Sequence, residues 1–300
     1  MLPRYDELPE VEGTDLRCAW GVFGPDAQLG TLNLLTAERR REAAALVRSG
    51  EVVNLSLPLD RPSAPAFGRR PLQHDVYALS RSAWDDRVTL DLQASSQWDG
   101  FLHVRHRAGS YGGHTDDPRP GGRLGIDRWV THGVVGRGVL LDVPRWAAQR
   151  GETYDARSAT PLPAALLARV ADDQGVEVRE GDVLLVRTGW DPAAGSAPDE
   201  PLHCAGLAAD TGTARWLWDS GVAAVACDNP TVEVQPGDPQ VGFLHWRLLT
   251  MLGMPLGELF DLAPLADRCA AAGVWEFLFV AAPLNLPGAV GSPANALAVL

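Results

Sequence analysis

Three apolar runs, residues 138–143, 182–187 and 222–227, alternate with stretches of helical spacing at 163–173 and 211–220. A strand covered on both faces reads as a nearly continuous apolar run, and strands alternating with helices need a sheet with helices packed on it. This pattern commits the chain to the α/β class, a mixed sheet with flanking helices. A further helix is expected at 263–272, stopped by Gly273, followed by a strand at 275–281.

The first third is less regular. Residues 36–47 read as a helix capped by Thr36 and stopped by Gly50, with Arg39, Arg40 and Arg41 in water and Leu46 and Val47 inward. Residues 52–57 read as a strand. Pro62, Pro65 and Gly68 make 61–70 a loop. Alternation over 88–92 predicts a strand entering the 93–99 region. Residues 105–125, rich in Gly, Pro, His and Asp, predict a long irregular excursion. With no internal repeat and no linker, the expectation is one domain over 1–300, with an N-terminal extension to about residue 50.

Charge and composition remove whole classes of function. The net charge of −12 disfavours nucleic acid and anionic membrane as partners, since both call for basic patches. All 26 basic residues are arginine, so Schiff-base lysine chemistry and a P-loop lysine are excluded. Cys18, Cys204, Cys227 and Cys269 form no C-x-x-C pair and read as reduced, buried thiols. The first residues hold no apolar signal-peptide core, and no stretch approaches the ~18 apolar residues of a membrane span. The expected location is cytoplasmic.

Against this ordinary scaffold, one segment and two distant residues stand out: Gln97-Trp98-Asp99-Gly100-Phe101-Leu102-His103, then His245 and Glu258. Asp99 and His103 share a face whether the chain there is helical or extended, and Gly100 favours a strand end or loop. His245 opens an apolar stretch that Gly253 and Pro255 should end, with Glu258 just beyond. Ionisable groups in such surroundings are costly unless paired or metal-bound. The plainer readings are a turn carboxylate for Asp99, a hydrogen-bonded core histidine for His103 and an arginine partner for Glu258.

These residues, with 138–143, 181–190, 225–229 and Gly291-Ser292-Pro293, resemble the putative cyclase family, which includes metal-type kynurenine formamidases and isatin hydrolase. The resemblance runs from about Gly30 to the end of the chain. It implies a single swivelling β/β/α-type domain, a homodimer or homotetramer, and a divalent ion, Mn or Zn. The family motif H-x-G-T-H-x-D-x-P-x-H, laid on this chain, makes Asp99 a ligand and His103 the acid–base residue. The downstream ligands fall on His245 and Glu258. The motif's first two histidines fall on Gln93 and Gln97, weaker neutral ligands, and its proline on Phe101, so the chain is similar to a longer branch carrying Q-W-D-x-x-x-H. The loss of imidazole tilts the site toward a harder ion or away from any ion.

Residues 113–118 imitate part of the same motif but lack its final histidine, leaving His114 and Asp116 as weaker candidates. Trp20, Trp84, Trp98 and Trp246 are candidates to stack an aromatic substrate, Trp98 and Trp246 foremost, and each also suits plain packing. There is no G-x-S-x-G elbow and no G-x-G-x-x-G after a strand. The resulting expectation is a metal-dependent hydrolase of an amide, formamide or lactam in a small aromatic substrate, as in tryptophan catabolism or secondary metabolism. A polyketide-type cyclase or dehydratase, and a non-catalytic ligand-binding protein with a degraded metal site, are the alternatives.

Overall fold

Among the described residues, nine strands hydrogen-bond into one curled mixed sheet, and helices cover its faces. The structure, a computed structural model, describes residues 2–25, 27–191 and 201–300. Its strands are β1 (Val52–Asn54), β2 (Gln73–Ala78), β3 (Trp84–Thr89), β4 (Gln97–Asp99), β5 (Val134–Asp142), β6 (Pro161–Leu162) and β7 (Val183–Arg187). They continue with β8 (Gly206–Leu207), β9 (Ala224–Cys227), β10 (Leu256–Glu258), β11 (Glu276–Ala281), β12 (Gly291–Pro293) and β13 (Ala296–Val299). The helices are α1 (Ala37–Ala44), α2 (Asp127–His132), α3 (Val143–Gln149), α4 (Ala164–Gln174), α5 (Thr211–Asp219) and α6 (Ala263–Ala272). A π-helix spans Trp246–Leu252.

The sheet order is β1-β13-β11-β5-β7-β9-β10-β4-β12. Its spine, β5, β7, β9 and β10, is parallel, and the strands on either side run antiparallel. Val183–Val186 and Ala224–Cys227 are wholly buried, as strands covered on both faces must be. Helix ends follow their sequence signals. The Asp210 side chain accepts from the Thr213 N–H, and α4 and α6 stop at Gly175 and Gly273, both left-handed. Tyr5, Leu8, Leu32 and Leu35 join the main core, so the first fifty residues are packed on the same body.

Two expectations need correction. The helix capped by Thr36 ends at Ala44, because the chain turns before Leu46 and Val47, which are only half-buried. The strand expected at 88–92 instead belongs to an exposed two-stranded ribbon, β2 with β3, that stands apart from the main sheet. The chain leaves this ribbon and turns at Asp91–Ala94 before β4 begins. The 105–125 excursion is irregular apart from a 3-10 turn at Tyr111–Gly113. Among the described residues no helix is long and apolar enough to cross a membrane.

Candidate metal centre

The pleat of β4 separates its residues. Successive side chains leave a strand on opposite faces, so Gln97 and Asp99 project from one side and Trp98 from the other. Trp98 points into the core, edge-on to Phe260 and Phe279 with centroids 5.3 and 6.2 Å away, and its indole N–H donates to the Ala294 carbonyl. Its cross-strand neighbour Gly257 must stay bare, since a Cβ there would lie 2.7 Å from Ala226 and from Phe260. The expectation that Trp98 stacks a substrate is therefore corrected: the ring is fully enclosed by protein.

Register and turns bring the other groups in. Glu258 on β10 sits directly opposite Gln97, whose amide donates to its Oε2 over 2.5 Å. After β4 the chain folds back through a β-turn in which the His103 N–H donates to the Gly100 carbonyl. Gly100 tolerates no side chain, because the Val290 carbonyl oxygen lies 2.8 Å from where a Cβ would sit. The turn leaves His103 Nε2 3.9 Å from Asp99 Oδ2. Gln93 donates its amide to both Asp99 Oδ1 and His103 Nδ1.

His245 immediately precedes the π-helix, a backbone form often found at functional sites. Its ring lies flat on Phe243, 4.9 Å between centroids. Nε2 faces Asp99 Oδ2 at 3.6 Å and Glu258 Oε1 at 3.2 Å. On the opposite edge, Nδ1 is 2.9 Å from Oε1 of Glu233, whose Oε2 accepts from the Leu244 N–H. Glu233 is thus a buried carboxylate that fixes the imidazole with Nε2 aimed inward. The residue before it, Val232, has φ 57°, a costly conformation for a β-branched side chain and of the kind found at functional sites. Sequence reasoning missed Glu233. An acid between two valines, Val232 and Val234, was its only signal.

The donor set fits a divalent ion. Asp99 Oδ2 is buried with no hydrogen-bond partner, and so is Gln97 Oε1. An orphaned carboxylate oxygen at this depth is expensive unless something cationic faces it. One ligand atom from each of Asp99, His103 and His245 lies within 4.8 Å of the others. Donors bound at ~2.1 Å to a common ion stand at most ~4.2 Å apart, so the 3.6 and 3.9 Å spacings suit shared coordination. Oxygen and imidazole donors together are a normal set for Zn²⁺ or Mn²⁺. Among the described residues no arginine pairs with Glu258; it is bonded to His245 and Gln97.

Electrostatics divides the labour between the two histidines. Burial disfavours charge on His245, but the neighbouring carboxylates of Asp99, Glu233 and Glu258 outweigh it and hold its pKa well above the usual value. For His103 burial dominates, only partly offset by Asp99, so its pKa is lowered and the ring is kept neutral. Burial and the Asp99 charge push Glu258 up to about 7. Burial also pushes Asp99 up, but His103, His245 and Gln93 together bring it below the normal range.

Of the residues singled out in the sequence, Asp99, His103, His245, Glu258, Gln93 and Gln97 come together here. Trp246 lies at the edge, half exposed, edge-on to Phe243 and His106. His114 stands in the excursion, its ring beside Gly112, and Asp116 is exposed; neither is in the cluster.

The family described as Putative cyclase matches residues 53–234. The crystal structure of a novel cyclase is 32% identical over 95% of this chain and 100% of its own, with a TM-score of 0.83. Isatin hydrolase A from Labrenzia aggregata, bound to benzyl benzoate, is 17% identical, with 85% of this chain and 94% of its own covered and a TM-score of 0.61. A predicted metal-dependent hydrolase from Bacillus stearothermophilus is 19% identical, with coverage of 83% and 97% and a TM-score of 0.50. At 17% and 19% the likeness is one of fold. No curated protein matches the chain.

Proposed function

The chain belongs to the putative cyclase family, and from that premise we propose that it is a metal-dependent hydrolase of an amide, formamide or lactam bond in a small aromatic substrate. The observation that carries this reading is Asp99 Oδ2, buried and unpartnered, facing His245 Nε2 and His103 Nε2. A divalent ion bound there supplies an acidified water and a Lewis-acid contact for the carbonyl oxygen.

The protein's own groups then have distinct tasks. Asp99 Oδ2, His245 Nε2 and Glu258 Oε1 bind, with Gln97 Oε1 the weaker neighbour. Glu233 holds His245 in the ligating orientation by keeping the ring proton on Nδ1. His103, held neutral beside the ligand atoms, relays a proton from the water to the departing nitrogen, which leaves poorly as an anion. Gln93, whose amide reaches both Asp99 Oδ1 and His103 Nδ1, fixes the two side chains relative to each other. Phe243 and Trp246 give an aromatic flank suited to a flat substrate. The cyclase-or-dehydratase alternative uses the same acid–base pair but gains nothing from the orphaned carboxylate oxygen.

Elemental analysis of purified protein, with turnover of aryl formamides and bicyclic aryl lactams before and after chelation, tests the reading. One divalent ion per chain, and hydrolysis lost on chelation and restored by Mn²⁺ or Zn²⁺, is expected. Hydrolysis undiminished by chelation would overturn it.

A further inference from the structure

Arg69 is a cation without an acid. The arginines around the site are otherwise taken: Arg70 by Asp91, Arg105 by Asp117 and Arg247 by Asp15. Among the described residues no carboxylate pairs with the Arg69 guanidinium and no carbonyl accepts from it; its close partner is the Phe67 ring, with the guanidinium carbon 5.3 Å from the centroid. An arginine backed by an aromatic ring is oriented while its N–H donors stay free. Phe67 is itself held at φ 61°, a costly conformation for a bulky residue and of the kind found at ligand clamps.

The loop that carries this pair is tied down beside the metal centre at both ends. At its start the Leu57 N–H donates to Ser96 Oγ, and Ser95 Oγ donates to the Pro58 carbonyl. At its end Arg70 holds Asp91 through its backbone N–H at 2.6 Å and its guanidinium at 2.9 Å. The segment gripped between these ties, 91–96, contains Gln93, whose amide touches Asp99 and His103. Arg69, next to the clamp, stands near enough for its charge to be felt at both His103 and Glu258, yet it bonds to neither. His103 is the more open of the two site histidines, its side chain 23% exposed against 5% for His245. The solvent side of the centre is therefore the side on which Arg69 stands.

We infer that Arg69 receives a carboxylate of the substrate, so that the molecules taken here are aryl amides bearing an acid group. The inference rests on the hydrolase reading for the bond that is cleaved and adds the group that is recognised. A guanidinium fork matches a carboxylate with two parallel hydrogen bonds, a geometry that no other side chain supplies as well. Charge makes such a receiver necessary. The chain carries −12 and the centre holds Asp99, Glu233 and Glu258, so an anion is repelled unless a cation meets it at the mouth. An arginine present only to balance those acids would bond one of them, and Arg69 bonds none.

The test reads binding first and turnover second. Metal-loaded protein is titrated calorimetrically with 2-aminobenzoate and with its neutral counterpart, 2-aminobenzamide. The wild type should bind the acid about 10–100-fold more tightly than the amide, the range of a charge-assisted pair, and R69M should erase that preference. R69K should restore only part of it, because an ammonium lacks the planar fork. Equal binding of the two by the wild type, or binding of neither, would overturn the inference. So would an equal loss of both ligands in R69M, or a preference that survives it, which would put the carboxylate on the ion instead. In turnover, the kcat/KM ratio of 2-formamidobenzoate to formanilide should fall in R69M, and through KM. If neither formamide is cleaved, the hydrolase reading fails while the titration still decides the role of Arg69.

Discussion

The parallel spine and the β4–β10–β12 corner belong to one sheet, but they are built on opposite principles. In β7 and β9, Val183–Val186 and Ala224–Cys227 are buried apolar side chains in an uninterrupted ladder. In the corner the strands are three residues long, and buried Gln97, Asp99 and Glu258 replace apolar packing. The spine gives up water for dispersion and hydrophobic contact. The corner gives up water for charge, and leaves Asp99 Oδ2 unsatisfied. The lesson is that a rigid apolar spine lets an adjoining corner hold an arrangement that would be unfavourable alone.

That contrast breaks if Asp99→Ala and Leu185→Ala behave alike. Asp99→Ala should abolish divalent-ion binding and lower hydrolysis by at least ~10³-fold, since it removes the central ligand. Its melting temperature should change less than that of Leu185→Ala, because Asp99 makes one hydrogen bond, at Oδ1 to Gln93, while its buried Oδ2 makes none. Leu185→Ala should do the reverse, costing about 2–5 kcal/mol through the cavity it leaves while ion affinity stays intact. Calorimetric titration with Mn²⁺, run beside thermal unfolding, separates the two. Equal losses in both assays would show that the corner and the spine are energetically one unit.

Within the corner, His103→Ala distinguishes proton transfer from ligation. It should leave the ion bound and lower kcat by roughly 10²–10⁴-fold. Loss of the ion instead would make His103 a ligand, which its 3.9 Å approach to Asp99 Oδ2 also permits. Glu233→Gln is milder. The amide keeps one bond to His245 Nδ1 or the Leu244 N–H but not the charge that fixes the ring, so ion affinity should weaken about 10–100-fold. Unchanged affinity would reduce Glu233 to a packing residue.

The same contrast explains how much was legible in the sequence. The spine announced itself because 138–143, 182–187 and 222–227 are long apolar runs, and α6 because Gly273 stops it. β10 and β12 did not, since Leu-Gly-Glu and Gly-Ser-Pro carry no strand signature and exist only through pairing with β4. The ribbon was missed for a related reason. Its apolar face is diluted by His74 and Asp86, and no core enforces a recognisable pattern. Asp99, His245 and Glu258 could be singled out because ionisable residues in apolar surroundings stand out. Glu233 did not, because nothing in a one-dimensional reading ties it to His245. Trp98 was misassigned because the strand's alternation turns it away from the two polar residues beside it.

The smallest effect concerns pH and isolates Glu258. Burial and the Asp99 charge raise it from 4.5 to about 7. A folded-state pKa above the unfolded one means that the folded protein holds this proton more tightly. The resulting stabilisation is complete below pH 4.5 and fades as pH rises through 7. Chelated protein should therefore lose stability between about pH 4.5 and 7, and Glu258→Gln should flatten that decline. An ion competes with the same proton, so affinity should fall by up to about tenfold per pH unit below 7 and level off above it. The spine variant Leu185→Ala should shift the whole stability curve without changing its slope, because no titrating group is touched. If Glu258→Gln leaves both slopes as they were, the proton resides elsewhere in the corner, with His245 the first place to look because its raised pKa acts in the same direction.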